Sequence, residues 1–197
     1  MARPIAVAIT GGIGAGKSEA LAAFRRHGAA TVSSDEIVHR LLRDDEDVRG
    51  RLLERFGERV LDEAGQVYRP AIAEIVFRDP EALAWLEALL HPRVAREYLE
   101  WREQLARLPN PPPVTVTEVP LLYEVGGQER FDKVVVVTAS PEVRAGRTQV
   151  EAEQREPRLL PEEEKVARAD YSYVNDGSLE ELDAFVAGVM RELSRAA

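Results

Sequence analysis

The segment Gly11-Gly-Ile-Gly-Ala-Gly-Lys-Ser18 carries the spacing G-x-x-x-x-G-K-[ST]. Glycines at these intervals let successive backbone amides converge on phosphate oxygens, and a helix beginning at the end of the run adds the partial positive charge of its N-terminus. In that chemistry Gly12, Ile13, Gly14, Ala15 and Gly16 form the cradle, the Lys17 ammonium reaches the β and γ phosphates, and the Ser18 hydroxyl ligates Mg²⁺. With ordinary usage of Gly, Lys and Ser/Thr, such a spacing arises by chance in about 1% of chains this long, so nucleotide binding is the expectation. Asp35 is the second candidate. A hydroxyl approaching a γ-phosphate needs a carboxylate to orient it and take its proton, and Asp35 follows the second predicted strand, at the carboxyl edge of a parallel sheet. The same position would cap a helix starting near Glu36, and the two roles can coexist. A regulatory GTPase would add Asn-Lys-x-Asp, which is missing, and the one Asp-x-x-Gly, at Asp62 and Gly65, falls among predicted helices.

These residues need a scaffold, and the apolar patterning supplies one. Short β-branched or apolar runs at 4–10, 29–33, 114–118, 133–138 and 171–174 read as five buried parallel strands, which makes the chain α/β. Residues 17–27 have helical spacing with Gly28 beyond them, completing a strand–loop–helix–strand unit around the glycine-rich loop. Residues 36–108 read as helical, with breaks at Gly57, Gly65, Asp79-Pro80 and His91-Pro92, so that 81–90 and 94–105 form two helices. The run 109–113, Pro-Asn-Pro-Pro-Pro, is a stiff connector. Ser140-Pro141 opens another helix, and residues 144–168, with six basic and six acidic side chains, read as an exposed, mobile element. Leu179, Leu182, Phe185, Val186, Val189, Met190 and Leu193 mark a C-terminal helix docked on the sheet.

Composition narrows the chemistry further. The 197 residues carry 26 Lys and Arg against 35 Asp and Glu, a net charge of −9, which argues against general nucleic-acid binding. Zero cysteines excludes thiol catalysis, thiolate metal sites and disulfides, and His27, His39 and His91 have no metal-ligand spacing. No apolar run approaches the roughly 18 residues of a membrane span, so a cytoplasmic enzyme acting on small molecules, away from membranes, is expected. The oligomeric state is open between a monomer and a small homo-oligomer.

Beyond the loop, the chain resembles the dephospho-CoA kinase family through Thr10–Ser18, Ser34-Asp-Glu-Ile37, Phe56-Gly57, Tyr68-Arg69, Val76-Phe77, Leu90-His-Pro92, Val119-Pro-Leu-Leu-Tyr-Glu124, Phe131-Asp132, Ala169-Asp170 and Asn175-Asp-Gly177. The resemblance implies transfer of a phosphoryl group from ATP, with Mg²⁺, to the 3′-hydroxyl of the dephospho-CoA ribose. It also implies a P-loop NTPase-type three-layer α/β/α fold: a nucleotide core (about 1–35 and 114–197), an inserted helical substrate subdomain (about 36–108) and a short lid (about 144–165). Within it Asp35 matches the catalytic acidic residue, and Lys17 and Arg147 the phosphate-stabilising cations. Arg69, His91, Pro92 and Glu118 fall on the substrate side, Glu118 also within reach of Mg²⁺ through water, and Asn175 and Gly177 near adenine. Each has a plainer alternative: a surface ion pair for Arg69, a helix start shaped by His91 before Pro92, packing for Pro120-Leu-Leu122, and a simple turn at 175–177.

Departures from the family accompany the matches. Glu19 stands where the family has Ser or Thr, which predicts weaker nucleotide binding. Glu151 replaces a second lid arginine, Leu159 replaces a glutamine, and the stretch up to Pro161 is short. Either Arg144, Arg155 and Arg158 take over charge neutralisation or the lid is degraded. Two further readings remain at this point: another small-molecule or nucleotide kinase on the same core, and a non-catalytic ATP-binding protein.

Overall fold

The computed structural model describes residues 3–147 and 160–196, so Glu151, Arg155, Arg158 and Leu159 lie outside the described residues. Five strands, β1 (Ile5–Thr10), β2 (Ala30–Ser33), β3 (Val114–Glu118), β4 (Lys133–Thr138) and β5 (Tyr171–Val174), form one sheet in the order β2-β3-β1-β4-β5. Every neighbouring pair is parallel. The described helices are α1 (Lys17–Arg26), α2 (Ser34–Asp44), α3 (Glu46–Phe56), α4 (Arg69–Arg78), α5 (Pro80–Ala106), α6 (Pro141–Arg147), α7 (Glu162–Ala167) and α8 (Leu179–Ala196). Two compact units result, one from residues up to 33 and from 101 onward, the other from residues 34–100.

In the first unit the sheet is buried on both faces, which is why its strands read as unbroken runs rather than as an alternating pattern. Val7, Ile9, Val114, Val116, Val135 and Val137 face a core completed by Leu21 and Phe24 of α1 and Leu182, Val186, Val189, Met190 and Leu193 of α8. Ala8, Val134 and Val136 point the other way, onto Leu122 and Tyr123, with Phe131 and Leu160 at the margin. Full burial of each such valine or leucine contributes about 1.5–3 kcal/mol. Leu122 is therefore packing, as its place in Pro120-Leu-Leu122 suggests.

Parallel strands can slip, and a one-residue slip turns every side chain to the wrong face. Two aspartates prevent it by the same device. Asp132, just before β4, grips Ala6 of β1 twice: its amide donates to the Ala6 carbonyl and its Oδ2 accepts the Ala6 N–H, both at 2.8 Å. Asp170, just before β5, does the same to Val134 of β4, at 3.0 and 2.8 Å. Arg3 closes on the Asp132 carboxylate with bonds of 2.7 and 2.6 Å, and Lys133 on Asp170 at 2.8 Å.

In the second unit, α2 begins at Ser34 rather than near Glu36, because β2 passes directly into it. Asp35 consequently lies inside the first helical turn, where the dipole favours a carboxylate, instead of capping from outside. The expected break at His91-Pro92 is absent, and α5 runs through it. A mid-helix proline costs about 3 kcal/mol by removing one N–H and crowding the carbonyl four residues back. Burial of Leu89 and Leu90 before the proline and of Val94 and Tyr98 after it offsets that cost. Trp85 meets Phe56 edge-on at 5.3 Å, Arg93 pairs with Asp47, and Glu97 accepts from Arg40 at 2.6 Å. Arg93 also donates to the Leu89 carbonyl at 2.7 Å, beside the displaced turn. The break at Asp79-Pro80 is real: the Asp79 carboxylate caps α5 by accepting the Glu81 and Ala82 amides.

The Asp132 fork gives a pH-dependent prediction. The Arg3 guanidinium, helped by the Ala6 amide, holds the Asp132 carboxyl below its ordinary value. A carboxyl with a lowered folded value stabilises the fold above its unfolded value of about 3.9 and loses that contribution as pH falls through the folded value. Asp132→Asn is therefore expected to lower stability by about 1–2 kcal/mol at pH 7 in urea denaturation, with the difference from wild type shrinking as pH falls below the ordinary carboxyl value of about 3.9. A pH-independent difference would assign the loss to shape alone.

Candidate active site

The strand order places β1 between β3 on one side and β4 on the other, so the chain leaving β1 emerges where successive connections diverge, at the carboxyl edge of the sheet. That chain is the Gly11–Ser18 loop. Gly16, the residue before α1, has φ +91°, a left-handed conformation that strains any side chain, and a Cβ there would also overlap the Asn175 amide. Asn175 is buried at 4% exposure and donates from Nδ2 to the Ala15 carbonyl at 2.9 Å, while its backbone amide donates to Thr138 at the end of β4 at 2.7 Å. Its neighbour Asp176 accepts the Ser140 N–H at 2.7 Å, at the start of α6. Gly177 leads into Ser178, whose hydroxyl accepts the Glu181 N–H while Glu181 accepts the Ser178 N–H, a reciprocal cap on α8. The Asn-Asp-Gly turn thus fastens the loop, β4, α6 and α8 to one another.

Within the loop the Lys17 ammonium donates to the Gly12 carbonyl at 2.8 Å, which lays it across the loop. Ser18 and Glu19 occupy the exposed first turn of α1. Glu118 ends β3 at 5% exposure, in register with Ile9 of β1 and Ser33 of β2, and the Thr10 hydroxyl donates to the Pro120 carbonyl at 3.2 Å. The carboxyl edge therefore gathers a lysine, a helix-start serine and a buried carboxylate within three adjacent strand ends.

A second layer of charge faces the loop from α6 and α7. The Ser140 hydroxyl caps α6 at the Val143 amide, as expected of Ser140-Pro141. Arg147 on α6 lies against Gly16, one guanidinium nitrogen 3.5 Å from where a Cβ would stand. Most of residues 160–168 are exposed, as expected, and Lys165 is the exception. They include α7, whose Lys165 is 1% exposed and pairs with Glu124 at 2.7 Å, and Glu124 also accepts the Leu160 N–H at 3.0 Å. Charges summed over the segment conceal this pair, because its partner lies in another segment. Tyr123, beside Glu124, is buried with its hydroxyl pushed up by desolvation and by the Asp170 charge, and Arg168 stands 5.8 Å from its ring centre. Glu124 and Lys165 are site-supporting residues that pattern reading passes over; the one available signal is Glu124 within Pro-Leu-Leu-Tyr-Glu.

The remaining expected site residues belong to the second unit. Asp35 is the second residue of α2 and exposed, Arg69 opens α4 and is exposed, and His91 and Pro92 lie in the interior of α5. His91 consequently does not shape a helix start. The loop, Glu118, Arg147, Asn175 and Gly177 belong to the first unit.

A five-stranded parallel sheet of order 2-3-1-4-5 with a Lys-Ser phosphate loop between its central strand and first helix defines a P-loop kinase. A shikimate kinase from Aquifex aeolicus shares this fold at TM-score 0.51, with 14% identity over 98% of this chain and 100% of that one. The family model for dephospho-CoA kinase (CoaE) matches residues 5–181. A dephospho-CoA kinase of Protochlamydia amoebophila is 37% identical over 194 residues, covering 95% of both chains. The dephospho-CoA kinase of Campylobacter jejuni superposes at TM-score 0.71, with 26% identity over 97% of this chain and 98% of that one. The chain belongs to the dephospho-CoA kinase family.

The buried Glu124–Lys165 pair yields a stability prediction. Lys165→Met strands a buried carboxylate and is expected to cost about 3–5 kcal/mol in urea denaturation, whereas Lys165→Met with Glu124→Gln, which keeps an acceptor for Leu160, should recover more than half. Equal losses in the single and double variants would mean that Lys165 acts through packing.

Proposed function

We propose that this chain catalyses transfer of the γ-phosphoryl group of ATP to the 3′-hydroxyl of the dephospho-CoA ribose, giving CoA and ADP, the last step of coenzyme A synthesis. The observation that carries the reading is the family match across residues 5–181, which extends well past the phosphate loop shared by many kinases. Among the described residues no helix is long and apolar enough to cross a membrane.

The donor set suits Mg²⁺. Ser18 and Glu118 offer hard oxygen ligands, and among the described residues no three His, Cys, Asp or Glu side chains gather into a cage. Mg²⁺ keeps several waters and is commonly bound by one or two protein oxygens together with substrate phosphates. Ser18 would ligate it directly and Glu118 through water; when bound it neutralises charge on the β and γ oxygens.

The chain's own residues do the rest. Loop amides of Gly12, Ile13, Gly14, Ala15 and Gly16 and the Lys17 ammonium hold the phosphates in line. Asp35 accepts the acceptor's hydroxyl proton as the ribose O–P bond forms; the bond from the γ-phosphorus to the bridging oxygen breaks, and its electron pair leaves on ADP. Arg147 stabilises charge on the transferring group, Arg69, His91 and Pro92 hold the acceptor, and Asn175 and Gly177 border the nucleotide. Glu19, exposed at the start of α1, weakens nucleotide affinity through its charge without abolishing it.

Acceptor-dependent ADP release with ATP, Mg²⁺ and dephospho-CoA tests the reading. Lys17→Ala and Asp35→Asn are each expected to lower kcat by about 100-fold or more with the fold intact by circular dichroism. Background turnover by wild type with dephospho-CoA would replace this acceptor by another, and near-normal turnover in Asp35→Asn would remove that residue from proton transfer.

A further inference from the structure

The lid has lost one arginine to Glu151, yet α6 carries two, Arg144 and Arg147, three residues apart on one helix face. They reach opposite ends of the phosphate loop. A Cβ on Gly12 would lie 3.2 Å from an Arg144 guanidinium nitrogen, and one on Gly16 3.5 Å from an Arg147 nitrogen. With the Lys17 ammonium on the Gly12 carbonyl, three cationic groups bear on one short loop in a chain of net charge −9. Such convergence is unfavourable unless an anion balances it.

One counter-charge is Glu162. Its carboxylate lies 3.5 Å from the Arg144 guanidinium and against Gly12, where any Cβ would overlap it. A side chain at position 12 would therefore displace the Glu162 carboxylate. Glu162 is held there by α7, and α7 is anchored three residues later by the buried Lys165–Glu124 pair. The Arg144 side chain is 21% exposed, so its charge is screened less than that of a surface arginine.

We propose that Arg144 is a catalytic residue of this chain, supplying the positive charge that the lid lacks at Glu151, and that Glu162 is its positioning residue. The proposal rests on the phosphoryl-transfer reading above. As the ribose oxygen bonds to the γ-phosphorus and the bridging bond breaks, negative charge collects on the γ and bridging oxygens. A guanidinium is always charged and presents a planar fork to phosphate oxygens, so it stabilises that charge in a way an ammonium does not reproduce. Glu162, 3.5 Å from the guanidinium, draws it toward Gly12 by charge before nucleotide arrives, so less conformational freedom is lost at the moment of reaction.

The test combines turnover with a transition-state mimic. Arg144→Ala is expected to lower kcat by about 100-fold while the KM for ATP changes by less than about 10-fold, and Arg144→Lys should recover little. Ethylguanidinium added to Arg144→Ala should restore part of the rate. Glu162→Ala should lower kcat by about 10-fold, Glu162→Gln by less, and the Arg144→Ala, Glu162→Ala double variant should match Arg144→Ala alone. By calorimetry, Arg144→Ala should weaken binding of Mg²⁺, ADP and aluminium fluoride by about 100-fold and of ADP alone by less than about 3-fold. Equal turnover, or equal affinity for the fluoride complex, in wild type and Arg144→Ala overturns the proposal. Loss confined to the fluoride complex, with no turnover of dephospho-CoA by wild type, upholds Arg144 and rejects the acceptor instead.

Discussion

A loop whose backbone must turn toward phosphate cannot stabilise itself through helix or sheet hydrogen bonds, and this constraint shapes the surrounding structure. Two of its carbonyls are taken by side chains: Ala15 by Asn175, far along the chain, and Gly12 by the loop's own Lys17. The first bond is buried and ties the loop to a residue just past β5, 160 positions along the chain. The shape of the loop at residues 15 and 16 is in this sense a property of the turn at residue 175.

The sheet that holds these ends together depends on register as well as on burial. Valine runs sandwiched between two cores would bury nearly as much surface after slipping, since both faces are apolar, so hydrophobic burial alone specifies their register weakly. The forks at Asp132 and Asp170 supply that specification, each binding one neighbouring residue through amide and carboxylate together. Both sit at the amino ends of their strands, away from the catalytic edge, where they serve stability without competing for substrate.

Charge at the catalytic edge is arranged in tiers. A buried pair, Lys165 with Glu124, fixes α7; α7 places Glu162; Glu162 meets Arg144; and Arg144 and Arg147 approach the two ends of the loop. Isolated surface pairs contribute little, and a buried pair weighs mainly as a geometric constraint because desolvation offsets much of its attraction. Here the constraint points a helix at a phosphate site.

Local patterning was enough to find all five strands, the loop, the serine-capped α6 and the C-terminal helix, since each is encoded by neighbours in the chain: β-branched runs, glycine spacing, a Ser-Pro start, steps of three and four. The family, too, is legible in the motifs. Local rules fail at Pro92, where buried Leu89, Leu90, Val94 and Tyr98 and the Trp85–Phe56 ring contact hold a helix together across a residue that should end it. They fail again at residues 160–168, where a seemingly solvated charge run hides a lysine paired with Glu124. In both places the deciding partner is distant in sequence, and no periodicity announces it. Residue types and spacing therefore specify the chemistry this protein can do, while long-range contacts at Asn175, Glu124 and Glu162 settle which groups face the loop, because their energies exist only after the chain has folded.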